Sequence, residues 1–348
     1  MDIDVTKGVE EKAGSFIQYD EDDIFYEVEK RYRGKIEILP MDRAIEKYRF
    51  VRENMGKLIR MDRYAKKAFE ERTGGYFLRI RKNRVVDEPI LTCMILRREI
   101  EQKPWNMVVV EEGSKAMVYT GCSAAAFLGR AWHIGATEFF IGRNARLDYV
   151  MIHVWPKTLE VRPRSSALVE ENGVFNSMYV VLKPGARIQA NPVVRAKDKA
   201  RVELVNIMKG ESSILRIGGE IHLEGVDSRG LIKSRSVAYE NAKIIARSKL
   251  VGYKRCRGHV DCRGIVMKGE IEAIPVIESR SGEALLTHEA SIGRIEEDQL
   301  FYLETRGFCR EEAMEMIVKG FLNPEIPWLD RKMKKEIEIL AEAAARGA

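Results

Sequence analysis

A mainly β protein is predicted: a right-handed β-helix core flanked by N-terminal and C-terminal helical segments. Beyond Gly75, short runs rich in Val, Ile, Tyr and Phe alternate with small turns, as in MVVVEEGSKAMVY, EFFIGRNARLDYVMIHVW, YVVLKPGARIQANPVV and ILRIGGEIHLEG. Each run is about four to seven residues long and is punctuated by Glu-Gly, Gly-Arg-Asn, Pro-Gly or Gly-Gly, the grammar of strand and turn. The texture continues almost without a helix to about Leu286, too far for one simple sandwich and natural for a stacked solenoid. No strict hexapeptide or nonapeptide repeat is visible, which favours coils of varying length, with a two-sheet sandwich as the structural alternative.

Residues 1–75 read as an N-terminal helical region. Residues 22–33 form a short helix with Ile24, Phe25 and Val28 on one face. Residues 42–71 place Ala44, Tyr48, Val51, Met55, Leu58, Ile59 and Met61 near helical spacing, with Gly74 and Gly75 closing the helix. Residues 76–290 make up the β-helix core. Residues 291–348 form a C-terminal helical domain: 296–305 ends at Gly307, a good left-handed cap position, and 310–319 ends at Gly320 with Ala313, Met316 and Ile317 in an apolar stripe. After Asn323 and Pro324 a last amphipathic helix runs over 328–345.

The 348 residues are 45% hydrophobic, enough for a large core. No apolar run reaches the roughly eighteen residues of a membrane helix, and the acidic MDIDVTKGVEEKAGSF start is unlike a secretory leader, so a cytoplasmic protein is expected. Five scattered cysteines fit neither a disulfide framework nor a zinc ribbon and are expected to be reduced. The net charge of +6, from 59 basic against 53 acidic residues, implies no dedicated nucleic-acid face. There is no GxxxxGK[ST] loop, no strand-bound GxGxxG, no HExxH and no GxSxG, so no nucleotide-binding loop or common hydrolase signature is present.

Thiols and imidazoles are the remaining chemistry. KRCRGHVDCRG places Cys256, His259 and Cys262 at offsets of three and six; on one strand the cysteines share a face and His259 points away, so all three converge only if Gly258 marks a turn. The plainer reading is a buried cysteine pair beside a surface histidine. In LLTHEASIG, His288 and Glu289 offer nitrogen and oxygen donors suited to iron, or else a packed His beside an exposed Glu. Cys122 in VYTGCSAAA is a packed thiol or a sulfur acceptor facing a channel; His153 and Trp155 in MIHVW share a strand face and read as core residues.

The stretch THEASIGRIEEDQLFYLETRGFCREEAMEMIVKGFL closely resembles the C-terminal signature of the SufB and SufD proteins of the SUF iron-sulfur cluster assembly system. GHVDCRGIV with IPVIES resembles that family's last coils, and EEGSKAMVYTGC resembles a SufB segment nearer the N-terminus. The resemblance covers 251–322 strongly and 109–155 more weakly. It implies a β-helix scaffold that builds a transient iron-sulfur cluster at a dimer interface, receives sulfur from a cysteine desulfurase or another donor, and passes the cluster to apoproteins. ATP would enter only through a partner, the ABC-type ATPase SufC, docked on the C-terminal helices through Tyr302, Arg306, Met316 and Phe321. Cys122 stands where SufB has its sulfur-accepting thiol, and Trp155 stands on its sulfur-transfer path with His153 beside it. His288 matches the SufD interface histidine and Glu289 the SufB interface glutamate. The SufB interface cysteine has no counterpart near Gly269 in KGEIEAIP, which makes Cys262 the substitute ligand, with Cys256 and His259 as further metal donors. The mixture of SufB-like and SufD-like features implies an undifferentiated form that pairs with itself. Two rivals stand beside this reading: a carbohydrate-active enzyme, since β-helices host those as well, and a metal-free structural partner of the ATPase.

Overall fold

A computed structural model describes residues 11–323, 326–329 and 334–335. With 51% strand and 15% helix, the protein is a β-solenoid of about 8 turns with a few flanking helices. Its first sheet runs Asp23–Val28, Gly14–Tyr19, Ile90–Leu96, Lys115–Ala124, Arg146–Val154, Val174–Lys183, Arg201–Gly210, Ser228–Ala238, Cys256–Val266 and Ala284–Gly293. All neighbours are parallel except the first pair. The second sheet begins with the antiparallel pair Ile36–Pro40 and Tyr76–Ile80 and continues in parallel to Glu270–Ser279.

Period-two alternation builds the core. In Lys115–Ala124, Ala116, Val118, Thr120 and Cys122 are buried; in Arg201–Gly210, Val202, Leu204, Asn206 and Met208 are. The coil length settles in the later turns, where Ser228 pairs with Cys256 and Cys256 with Ala284, 28 residues apart as in the Arg255–Asp227 bond between coils. One corner repeats this regularity. Asn144, Asn172, Lys199 and Asp227, each just before a strand, lie in the left-handed region with φ of 56°, 55°, 57° and 59°. Each donates its backbone N–H to the corresponding corner of the next coil: Asn144 to Glu171, Asn172 to Asp198, Lys199 to Val226 and Asp227 to Arg255. Asn and Asp tolerate this conformation because their short polar side chains bond locally.

The N-terminal region differs from the sequence expectation. Residues 22–33 hold the strand Asp23–Val28 and the short turn Lys30–Tyr32, not a helix. Ladder bonds to Gly14–Tyr19 close the end of the first sheet and outweigh the local helical pattern. Residues 42–71 form three helices, α1 (Met41–Lys47), α2 (Arg49–Asn54) and α3 (Arg63–Glu70). Tyr48 breaks the first pair with extended backbone, and Gly56 at φ 84° turns the chain after α2. Gly74 and Gly75 do not cap the helix, which ends at Glu71; they lead into Tyr76–Ile80, where a Cβ on Gly75 would meet the Trp105 carbonyl. These helices cover the outer face of the second sheet through Met41, Ala44, Val51, Ala65 and Ala68 against Phe77, Trp105 and Met107.

At the other end lie α4 (Glu297–Glu304) and α5 (Arg310–Leu322), with Gly307 between them at φ 95°. Helix α5 runs past Gly320, and Val318, Phe321 and Leu322 pack on Val237 and Ile265. Most of the helix expected over 328–345 lies outside the described residues. Ile326, Trp328 and Leu329 cover the outer face of the first sheet at Val150, Ile152, Met178, Val180 and Ile207.

Candidate functional site

Inside the middle coils the core turns polar. A cavity of about 50 Å³ is lined by Met94, Thr120, Cys122, His133, Tyr149, His153 and Tyr179, among others. A water molecule needs roughly 10–15 Å³ of such space, so the cavity takes a few species of that size. Cys122 is paired in register with His153 on the next strand, and Met94 with Cys122 on the strand before, so all three project from one sheet into the interior. Burial pushes the Cys122 thiol up to about 12, keeping it protonated at neutral pH.

His153 is fully buried, and burial together with nearby His133 holds it well below the ordinary imidazole range. Its Nδ1 lies 2.9 Å from the Tyr179 hydroxyl, while Nε2 has no hydrogen-bond partner. The Trp155 indole stands edge-on to His153 at 5.6 Å and tilted against His133 at 5.1 Å, its Nε1 also unpartnered. His133 is fixed by Gln102: the amide Nε2 donates to the Asp20 carbonyl at 2.7 Å, leaving Oε1 to accept from His133 Nδ1 at 2.9 Å. That assigns the proton to Nδ1. Gly135 makes room for the ring, since a Cβ there would sit 2.9 Å from His133 Nε2. Burial pushes His133 down to about 4.

The structure therefore brings Cys122, His153 and Trp155 together and adds three residues that sequence reasoning missed: His133, Gln102 and Tyr179. His133 stands in the two-residue strand Trp132–His133, too short to show alternation. Tyr179 reads as an ordinary strand residue until register places its strand beside that of His153.

The second set of candidates lies on the last coils. Cys256–Val266 is one unbroken strand, so Gly258 marks no turn, and Cys256 and Cys262 stay about 20 Å apart at 3.3 Å per residue. Both are buried on the inner row, and burial is the chief cause that raises each thiol above its ordinary value. His259 faces outward, its Nδ1 2.8 Å from the Thr287 hydroxyl. Cys262 pairs with Ala290 and Val260 with His288, which puts His288 on the inner row, one alternation from the position above Cys262. Glu289 faces the other way beside Asp261 and accepts from Arg263 at 3.3 Å. Within one chain, Cys262 and His288 share a face while His259 and Glu289 lie on the opposite one. Among the described residues, no group of three or more His, Cys, Asp or Glu could hold a metal ion. At Gly269 a Cβ would stand 2.4 Å from the Tyr239 carbonyl oxygen, so no thiol fits there.

Ala284–Gly293 ends the first sheet, pairs among the described residues with Cys256–Val266 alone, and is exposed along most of its length. Leu285 and Ile292 are apolar and open there, at 58% and 41%. On the helical pair, Tyr302 and Met316 are exposed together with Phe301 and Phe308, and the Arg306 guanidinium lies 5.2 Å over the Tyr302 ring. Phe321 instead packs partly inward.

Residues 95–321 match the family described as SUF system FeS cluster assembly, SufBD core domain. An iron-sulfur cluster assembly SufBD family protein of Archaeoglobus fulgidus is 35% identical over 96% of this chain and 91% of its own length. One from Methanothermobacter thermautotrophicus strain Delta H is 32% identical over 97% of this chain and 84% of its own. A third, from Pyrococcus horikoshii, is 31% identical over 97% and 78%.

Proposed function

The chain belongs to the SufBD family and so takes part in iron-sulfur cluster assembly; on that premise we propose that it is the scaffold on which a transient cluster is built between two copies. The observation that carries this reading is the uncapped last strand, Ala284–Gly293, with His288 on its inner row and Cys262 on the inner row of the strand before it. The described residues of one chain offer too few convergent donors for a metal, and a second copy across that edge doubles them. Two thiolates and two imidazoles, with Glu289 and the remaining donors Cys256 and His259 farther out, would hold cargo loosely. Four thiolates would hold it as a resident cofactor.

Sulfur enters at Cys122. A donor persulfide, formed by a cysteine desulfurase or an equivalent source, presents its terminal sulfur. The Cys122 thiolate attacks that sulfur, the donor's S–S bond breaks, and the donor leaves as a thiolate. With Nδ1–H donated to Tyr179, the free Nε2 of His153 takes the Cys122 proton and returns it to the leaving thiolate, so charge in the enclosed cavity stays balanced. Trp155 and His133 hold the His153 ring in place. Cys122 lies six strands before the open edge, about 29 Å at 4.8 Å per strand, so sulfur must travel along the solenoid to reach Cys262. A SufC-type ATPase docks on α4 and α5 through Tyr302, Arg306 and Met316, with Phe321 bracing α5. ATP acts through that partner by shifting the population of dimer geometries. The finished cluster then passes to recipient apoproteins.

The test is anaerobic mixing of the protein with ferrous iron and sulfide, alone and with the ATPase. Charge-transfer absorption in the visible range is expected, lost in Cys262→Ser. Cys122→Ser is expected to retain assembly from free sulfide and lose it from a persulfide donor. No absorption in any mixture, with the ATPase still co-purifying, would leave the metal-free structural partner as the better account.

A further inference from the structure

One corner of the first sheet carries a column of arginines. Arg201 pairs in register with Arg229, and Arg229 with Arg257, so three exposed arginines follow one another on the same face at about 4.8 Å per strand. Like charges in adjacent register repel. The carboxylates around them are engaged elsewhere: Asp148 accepts from Arg146 at 2.9 Å, Glu203 from Lys233 at 3.1 Å, and Asp227 accepts two bonds from Arg255 at 2.8 Å each. Asp227 also feels the charge of Arg229, and Glu283 that of Arg255. Among the described residues, none of the three column arginines is in a salt bridge of its own.

The column joins two grooves. One, of about 360 Å³, is lined by Arg146, Asn176, Arg201, Arg229, Pro327 and Trp328. The other, of about 390 Å³, is lined by Arg229, Arg255 and Arg257 with the carboxylates Asp227 and Glu283 and with Ser228 and Leu285. Arg229 belongs to both. The column is short, because its next members are Val174 on one side and Leu285 on the other. It therefore spans two strand steps, about 10 Å.

We propose that Arg201, Arg229 and Arg257 bind a short linear phosphate chain of two or three linked phosphoryl groups. The planar forks of arginine match phosphate oxygens in pairs. An isolated phosphate engages two of the three, whereas a chain engages all and relieves their mutual repulsion. Apolar ends at Val174 and Leu285 disfavour a long polyanion such as nucleic acid. The chain is either free polyphosphate or the phosphate tail of a nucleotide. In the second case the ring would lie in the groove beside Trp328, whose Nε1 has no partner. This inference is independent of where a cluster forms or sulfur enters.

Calorimetric titration of the full chain with tripolyphosphate, ATP and orthophosphate tests it. Tripolyphosphate should bind at least tenfold more tightly than orthophosphate, and Arg229→Gln should weaken it at least tenfold. Arg49→Gln, on α2 and remote from the column in sequence, should leave binding unchanged. Without anion, Arg229→Gln should melt at or above the wild-type temperature, since it removes a repelling charge. ATP tighter than tripolyphosphate identifies a nucleotide as the source; equal affinity identifies the chain alone. Equal binding of orthophosphate, no effect of Arg229→Gln, or binding of a single-stranded oligonucleotide without binding of tripolyphosphate would each overturn the proposal.

Discussion

Burial sets the chemistry of the interior residues, and it can be read out one side chain at a time. Cys309 is the exposed thiol and Cys122 is enclosed, so brief maleimide treatment at pH 8 should label Cys309 and spare Cys122. Mass mapping of the labelled sites checks this, and equal labelling would mean that the cavity opens readily. His133 gives a pH signature. Its folded value is about 4 against an ordinary 6.5, so between those values the unfolded chain binds a proton that the folded chain refuses. Stability present above about pH 6.5 is then lost as pH falls toward 4, by about 2 kcal/mol between pH 7.5 and 5. Urea midpoints at the two pH values should differ less in His133→Asn, which keeps a donor for Gln102 and does not titrate. Cys122, His153 and Trp155 were legible in the sequence because alternation along MIHVW and a thiol at a strand end mark an inner face. His133 and Tyr179 were not, because only pairing between coils brings them to the same cavity.

Single elements are held to the solenoid by a few buried polar contacts. Glu138 is the clearest case: wholly buried, it accepts from the backbone N–H of Gly56 at 2.7 Å and Leu58 at 2.9 Å and from Trp105 Nε1 at 3.0 Å. It thereby ties the connection between α2 and α3 to the second sheet. Glu138→Ala strands three donors, and at about 1 kcal/mol or more for each it should cost roughly 3 kcal/mol or above in a urea melt. Exchange protection at Gly56 and Leu58 should fall first; if it stays at wild-type level, another contact holds that connection. The α-helical texture of residues 42–71 was visible in the sequence, but not the breaks, because Tyr48 and Gly56 act through backbone geometry. Residues 22–33 were misread because Ile24, Phe25 and Val28 suit a helix face as well as a strand, and only the neighbouring strand decides between them.

At the scale of the molecule, the first sheet ends in two unlike strands. The short antiparallel strand Asp23–Val28 terminates one side; at the other, nothing among the described residues pairs with the free edge of the long parallel strand Ala284–Gly293. Unpaired edges with apolar residues seek partners. On the proposed pairing of two copies across this edge, the parent should run as a dimer in light scattering and the double variant Leu285→Lys, Ile292→Lys as a monomer; a variant that remains dimeric would place the subunit contact elsewhere. The stacked architecture was legible from run length and turn residues alone. Its pitch of 27 to 28 residues was not, because the repeat lies in a backbone corner filled in turn by Asn, Asn, Lys and Asp. That pitch makes the protein modular in length. Because Val174 pairs with Arg201 and Arg201 with Arg229, excising residues 201–228 removes one layer, sets Arg229 beside Val174, and leaves every remaining layer right side in. Gene-level gain or loss of a layer can thus reset how far apart two ends of the protein stand without redesigning either end.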